Sequence, residues 1–306
     1  MLRRKKKFFN KKLLFYCCGL ALPILQYCIF YIYVNFNSFI LAFTNYDFYT
    51  QETTFAGFSK FQEVFYTFFE SQQSAQLMLS LKNSLITYAL NLIIGTGGAV
   101  IFSYYIYKKW AIGKTFKFFL FLPSVLPSIL LVSVFKFFAN EAIPGYMSEL
   151  FNKTVTPLFI GKDTLMPTLL FYNVWASFGA QILIYTGAMD QISPDVMEAG
   201  KVDGVSPVAE FFLIVIPIIL PTISTFLVAN IAMLFSNQAN LYAFFGDSRR
   251  VDYGNFTIGY YLFDLVNKAG NGKTMYTYAS ALGIICTMIA FPLTLGVRKL
   301  LNRGDE

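Results

Sequence analysis

Histidine is missing altogether from the 306 residues. Its absence removes histidine general bases, most zinc sites and histidine pH switches. Charge is scarce as well: 13% of the residues are Asp, Glu, Lys or Arg, against about 25% in an average soluble domain. With 56% hydrophobic residues and a mean hydropathy of +0.54, that deficit places the chain in a bilayer. Cysteine is sparse too. Cys17, Cys18, Cys28 and Cys286 all lie within apolar segments and read as small buried or lipid-facing side chains, with no disulfide framework and no metal site. A phosphate-binding loop is also lacking. Gly272-Lys273-Thr274 has the end of one, but Asn267 stands at its first glycine position, and Gly113-Lys114-Thr115 has Lys108 there. No nucleophile–base set suggests an enzyme, and no cofactor is expected to bind this chain itself. If ATP drives the protein, another subunit binds it.

What is present is a series of long apolar runs. A hydrocarbon core of about 30 Å needs about 20 apolar residues per helix. Six stretches qualify, at roughly 13–34, 83–107, 117–138, 165–189, 211–235 and 276–298, and the first extends towards Phe43 without meeting a charge. The net charge of +7 is distributed as a membrane protein would have it, which argues against nucleic acid. Arg3, Arg4, Lys5, Lys6, Lys7, Lys11 and Lys12 precede the first run; Lys108, Lys109, Lys114 and Lys117 separate the second from the third; Arg298, Lys299 and Arg303 follow the sixth. With six spans these clusters share one side, and the positive-inside rule makes it cytoplasmic. The expectation is an all-α, multi-pass membrane protein with both termini inside. It would have a basic N-terminus at 1–12, one membrane domain at 13–298 and a short C-terminal segment at 299–306. The first run is too long for a signal peptide and lacks a convincing cleavage site. The outer loop at about 44–82 is expected to lie partly along the interface.

Two spans carry polar residues in a pattern. Asn173, Ser177 and Gln181 in span four recur at every fourth position, hence on one helical face. Span five has Asn230, with Ser236, Asn237, Gln238 and Asn240 near its outer end. Uncharged amides and hydroxyls facing a cavity suit a neutral polyhydroxylated ligand; equally, they serve as hydrogen-bonding glue between helices. No charge lies well inside either span, so an ion or proton relay lacks its usual side chains. Pro123 and Pro127 in span three, and Pro217 and Pro221 in span five, are expected to interrupt the backbone ladder. Lys136, near an outer end, is expected to snorkel.

Between spans four and five the chain turns polar. Ser193-Pro194 opens one short helix, Gly204 turns the chain, and Ser206-Pro207 opens the next; serine as cap with proline at the first helical position is a good helix start. Two helices joined by a glycine make a compact knob on the membrane surface, suited to a partner protein.

Residues 198–217 resemble the signature loop of permease subunits in binding-protein-dependent ABC importers: Glu-Ala-Ala, three residues, Gly, nine residues, then Ile-x-Leu-Pro. The chain has Glu198-Ala199-Gly200, Gly204, Ile214 and Ile216-Pro217, with the spacing intact, Gly200 in place of the second alanine and Ile216 in place of leucine. Gly200 is expected to loosen the first helix by about 1 kcal/mol relative to alanine. Ile192-Ser193-Pro194-Asp195, Asp203-Gly204, Lys82-Asn83-Ser84 and Phe121-Leu122-Pro123 look like the carbohydrate-uptake branch, and Gly57-Phe58-Ser59-Lys60-Phe61 is similar to the subunit that resembles the larger maltose-type permease. The chain departs from that permease in lacking extra N-terminal spans and a large external domain.

The resemblance implies a type I ABC importer permease fold in a bacterial plasma membrane. It implies a second permease subunit, a dimer of cytoplasmic ATPases that bind ATP and magnesium, an extracytoplasmic solute-binding protein and a carbohydrate ligand. Glu198, Ala199 and Gly200 would face the ATPase within a coupling loop at 190–210, with Asp203 and Gly204 shaping its turn. The sugar positions of the maltose-type subunit would fall at Ser177, Ala180, Asn230, Met233, Leu234 and Asn237, alongside Asn173 and Gln181 from the polar face. Of these, Ala180, Met233 and Leu234 offer no side-chain hydrogen bond. The alternatives are the same machinery with a polyol, phosphodiester or peptide, or an ion-coupled secondary transporter; the latter predicts inverted repeats and membrane-embedded ionisable residues, neither of which is found.

Overall fold

The computed structural model describes residues 11–47, 49–161, 163–246, 255–268 and 274–301. The basic residues at 3–7, Gly272-Lys273 and Arg303 lie outside the described residues. Eleven helices and one hairpin are named below. Helix α1 starts at Lys11 and runs to Leu41, including a π-helical stretch at Cys28–Tyr33. It is followed by β1 (Thr44–Tyr46), β2 (Thr53–Phe55), α2 (Ser59–Phe69) and α3 (Ser74–Tyr107). Then come α4 (Gly113–Val125), α5 (Ser128–Phe151), α6 (Leu165–Met189) and α7 (Pro194–Val202). The last are α8 (Pro207–Ala232), α9 (Leu241–Phe245), α10 (Ile258–Lys268) and α11 (Thr274–Leu301).

The chain divides into two compact units. The first comprises Met1–Tyr66 and Leu265–Ile285. In it α1 is apolar all round, and the window that qualifies it as a span has none of its residues buried; a helix of that kind needs lipid or another helix around it. The hairpin is the exception to the all-α expectation: Thr44, Asn45 and Tyr46 pair antiparallel with Phe55, Thr54 and Thr53. Asp47 closes it by accepting the Tyr49 N–H at 2.8 Å, an Asx-type turn that its polar loop composition disguised.

The second unit comprises Thr67–Asp264 and Cys286–Glu306. Among the described residues five helices are long and apolar enough to cross a membrane: Phe15–Leu41, Ser74–Tyr107, Ser128–Phe151, Pro207–Ala232 and Met275–Leu301. Helix α6 has 25 residues but is not among the five. Asn173, Ser177, Gln181 and Thr186 dilute its apolar character, and ten of its residues are buried.

Span three differs most from expectation. No single helix covers 117–138. The chain bends at Leu126 (ψ 142°) and Pro127 (ψ 133°) between α4 and α5, because a residue before proline is pushed out of the α region. Pro123 stays inside α4. Pro217 and Pro221 do not break α8 either. A π-helical stretch at Phe211–Val215 precedes Pro217, and the Thr225 hydroxyl donates to the Pro221 carbonyl at 2.9 Å. Both are ways a membrane helix absorbs proline. Only Pro127 interrupts its span.

Glycines set the helix spacing. A Cβ on Gly179 of α6 would sit 2.8 Å from Ser124 Oγ and 3.1 Å from the Leu120 carbonyl, so α4 packs directly on α6 backbone. On α3, a Cβ at Gly98 would meet the Phe178 ring at 3.0 Å and one at Gly95 would meet Ser177 Oγ at 3.3 Å. Small residues that let backbones approach are how membrane helices gain packing energy without a hydrophobic driving force.

Candidate functional site: a neutral cavity and a polar loop

Where α3, α4, α5, α6 and α8 meet, the second unit encloses a cavity of about 430 Å³. Among the described residues its wall contains no Asp, Glu, Lys or Arg. Helix α6 contributes Asn173, Ser177 and Gln181, and α8 contributes Asn230, followed by Met233, Leu234 and Asn237. Seven of the eight expected path residues therefore come together. Ala180 is exposed and lies outside the lining.

Sequence reasoning missed the opposite wall. Ser84, Thr87 and Asn91 reach the cavity from α3, Ser124 and Ser128 from either side of the Pro127 break, and Thr257 from the segment before α10. In the sequence, Ser84, Thr87 and Asn91 stand at spacings of three and four, so the same helical-face test that found α6 would have found them.

The lining residues differ in whether their polar atoms are already used. Asn173 is fully committed. Its amide donates to the Leu169 carbonyl at 2.8 Å and the Ala239 carbonyl at 3.0 Å, and its oxygen accepts from Asn240 Nδ2 at 2.8 Å. It thereby holds the turn at Ala239 and Asn240, where φ is +50° and +56°, a left-handed region unusual outside glycine. Asn237 accepts the Ala239 N–H at 2.8 Å, and its carbonyl takes the Thr257 hydroxyl at 2.8 Å. Gly259 completes this end, since a Cβ there would lie 2.6 Å from the Asn237 carbonyl oxygen. Asn83 and Ser84 pin the same segment to α3, the first donating to the Phe256 carbonyl at 3.0 Å, the second accepting the Ile258 N–H at 2.8 Å. Ser177 donates to the Val174 carbonyl at 2.8 Å. By contrast, Thr87 Oγ1, Gln181 Oε1 and Asn230 Nδ2 are shielded from solvent with no partner among the described residues. Buried polar atoms are nearly always paired, so these three stand out within the lining. Lys136 donates to the Phe244 carbonyl at 2.9 Å, with the Phe245 ring 5.8 Å away. It therefore fastens α9 rather than simply snorkelling.

The second site is the loop from α6 to α8. Pro194 opens α7 as expected, but the Ser193 side chain makes no capping bond; Ser206 does, accepting the Ala209 N–H at 3.3 Å. Gly204, at φ +71°, closes α7 in a Schellman turn. The Val205 N–H returns to the Gly200 carbonyl at 3.0 Å and the Gly204 N–H to Lys201 at 3.1 Å. Glu198, Ala199 and Asp203 are exposed; Gly200 is buried. A Cβ on Gly200 would sit 3.0 Å from Ile214 Cδ1, so α8 has closed into the space an alanine would fill. In the first turn of α8, Glu210 is 3% exposed. It is met by Lys108 Nζ at 2.8 and 3.0 Å and by the Tyr104 hydroxyl at 2.9 Å. This pair puts the α3–α4 connection and the α7–α8 loop at the same end of the unit.

A helical membrane body with a polar cavity and a capped two-helix loop defines a solute-transport component. The chain belongs to the family of binding-protein-dependent transport system inner membrane components, whose profile matches residues 92–304. Members of this family are multi-pass permease subunits. Among curated relatives, the chain is 22% identical over 295 residues to the probable ABC transporter permease protein YurN of Bacillus subtilis, covering 93% of this chain and 95% of that one. It is 27% identical over 158 residues to the maltose/maltodextrin transport system permease protein MalF of Escherichia coli, covering 50% of this chain and 30% of MalF. Among solved structures it superposes, with TM-score 0.76 and 20% identity over 97% of this chain and 98% of the other, on a chain of a bacterial ABC transporter involved in the import of the acidic polysaccharide alginate. That likeness establishes the fold.

Proposed function

We propose that the chain is one permease half of an ATP-driven importer for neutral sugars or oligosaccharides in a bacterial plasma membrane. It is not itself an enzyme. A second permease subunit completes the path, a dimer of cytoplasmic ATPases binds ATP and magnesium, and an extracytoplasmic binding protein delivers the carbohydrate. Six spans with both termini inside follow if α4 and α5 share one crossing and α6 makes another. The basic N-terminus at 1–12 and the segment at 299–306 are then cytoplasmic and flank the permease domain at 13–298. The loop at 190–210, with Glu198, Ala199 and Gly200 on α7 and Asp203 and Gly204 at its turn, docks on the ATPase. Motion of α7 reaches the cavity because α6 runs directly into the loop and α8 directly out of it.

The observation that carries the ligand assignment is the uncharged cavity wall with three unpartnered polar atoms, Thr87 Oγ1, Gln181 Oε1 and Asn230 Nδ2. Neutral hydroxyls can satisfy both the donor and the acceptors, whereas a carboxylate or phosphate brought into an uncharged wall would go uncompensated. The alginate transporter handles an acidic polymer; this chain's cavity points to an uncharged one. The test is uptake by proteoliposomes holding the four-component complex, with neutral and uronic-acid oligosaccharides compared. Neutral sugars should be carried. Equal or preferred uptake of the acidic ones would overturn the assignment.

A further inference from the structure

Of the five helices that meet at the cavity, α3, α6 and α8 supply half of the lining residues, and two of these three are covalently continuous with the coupling loop. The third, α3, is not. Its cavity residue Thr87 and its loop-end residue Lys108 are 21 positions apart, about 30 Å at a helical rise of about 1.5 Å per residue. What joins α3 to the loop is a buried polar cluster. Glu210 of α8 accepts from Lys108 Nζ at 2.8 and 3.0 Å, and the Tyr104 hydroxyl lies 2.9 Å from both Glu210 Oε1 and the Pro207 carbonyl. The Glu210 side chain is 4% exposed and that of Lys108 18%. A charge pair this buried resists pulling apart, because either partner alone would be left unsolvated.

We propose that Glu210, Lys108 and Tyr104 form a brace that makes α3 move with the coupling loop, so that α3, α6 and α8 respond to the ATPase together. Glu210 is a positioning residue: it touches neither ligand nor nucleotide. The inference rests on the coupling role proposed for the loop. The other attachment is mostly apolar. Ala99, Val100 and Tyr104 of α3 share a core with Ile182 and Tyr185 of α6 and with Phe211 and Val215 of α8, and the Ser103 hydroxyl donates to the Ile182 carbonyl at 3.2 Å. These contacts tie α3 chiefly to α6; the brace is the charged tie between the end of α3 and the start of α8. Direction matters as well. Lys108 follows the last residue of α3, where a cation is favoured by the helix dipole, and Glu210 lies in the first turn of α8, where an anion is favoured. Each helix end is therefore stabilised by the charge it carries itself.

The test measures solute moved per ATP hydrolysed in proteoliposomes containing the full complex. Glu210→Gln should lower that ratio about tenfold, within the usual range of coupling between sites, by letting the ATPase cycle without moving α3. The exchanged pair Lys108→Glu/Glu210→Lys should recover most of it. Should Glu210→Gln fail to assemble, Tyr104→Phe removes one hydrogen bond with little change of volume and should lower the ratio in the same direction by a smaller factor. Spin labels at Ile101 and Val202 supply a readout independent of transport: their separation should stay constant on ATP binding in the native complex and change in Glu210→Gln. A native solute-to-ATP ratio in an assembled Glu210→Gln complex, or a label separation that changes equally in both, would overturn the brace. Glu198→Lys, run in parallel, separates the two proposals. Normal uptake there removes the coupling role itself, whereas lost uptake there with a native ratio in Glu210→Gln removes only the brace.

Discussion

The cavity and the coupling loop use polar side chains in opposite ways. In the loop and the first turn after it two polar side chains have fixed partners: Ser206 caps α8 and Glu210 is held by Lys108 and Tyr104, while backbone bonds around Gly204 close α7. In the cavity Thr87, Gln181 and Asn230 keep an unpartnered atom. Satisfied polar networks rigidify; unsatisfied ones wait for something to arrive. The difference teaches that the loop end pairs its buried charge and its cap, whereas the cavity keeps polar atoms with no partner among the described residues. Within the cavity the same division recurs on a single helix, with Asn173 fully bonded and Gln181, two turns on, left open.

Substitutions can break this contrast, and the largest effect is expected in the loop. Glu198→Lys should abolish ATP-driven uptake while the protein still inserts; normal uptake in a transport assay would remove the coupling role. Next is Asn173→Leu, which leaves the Ala239 carbonyl and Asn240 without their partner. It should cost about 2–4 kcal/mol of stability, the range for a broken buried network, seen as a lower melting temperature of the purified protein. Asn230→Leu should do the reverse. Stability should hold or rise, because an unpaired polar atom is removed, while the sugar concentration for half-maximal uptake rises about tenfold, the loss of one hydrogen bond of about 1.4 kcal/mol. If both asparagine variants changed melting temperature and uptake alike, bonded and open residues would not be distinct classes. The smallest effect is expected for Gly200→Ala. A gain of up to about 1 kcal/mol in helix propensity is opposed by the contact with Ile214, whose side-chain end can give way. A shift in melting temperature of more than a few degrees would mean that Ile214 cannot move.

Much of the loop could be read in the sequence, because its devices are local. Serine–proline starts and a glycine stop act within a few residues, and a glycine at φ +71° sits where the motif placed it. Four of the six expected spans, at 13–34, 83–107, 211–235 and 276–298, coincide with helices long and apolar enough to cross a membrane. The bend at Leu126–Pro127 was one of four candidate prolines, and only the surroundings decide which of them breaks a helix. The Lys108–Glu210 pair, 102 residues apart, leaves no local trace. The α3 wall is legible too, in the spacing of Ser84, Thr87 and Asn91. Whether an asparagine on a polar face is glue or contact depends on what lies opposite. Asn173 and Gln181 look alike in the sequence and differ only in that Ala239 and Asn240 reach one of them.

The π-helical stretch at Asn91–Thr96 in α3 lies between the cavity residues and the brace. A π turn carries one residue more than the α turn it replaces. The bulge absorbs that surplus, so the two ends of α3 keep the relative facing that a plain α-helix one residue shorter would give them. Removing one residue within 92–95 should restore a plain α-helix with both ends still aimed correctly. Removing one anywhere between 99 and 103 should swing Tyr104 and Lys108 away by about 100°, the angle of one residue at 3.6 per turn. A scan of single-residue deletions along α3, read by uptake, should therefore show one short tolerant window in an otherwise intolerant helix.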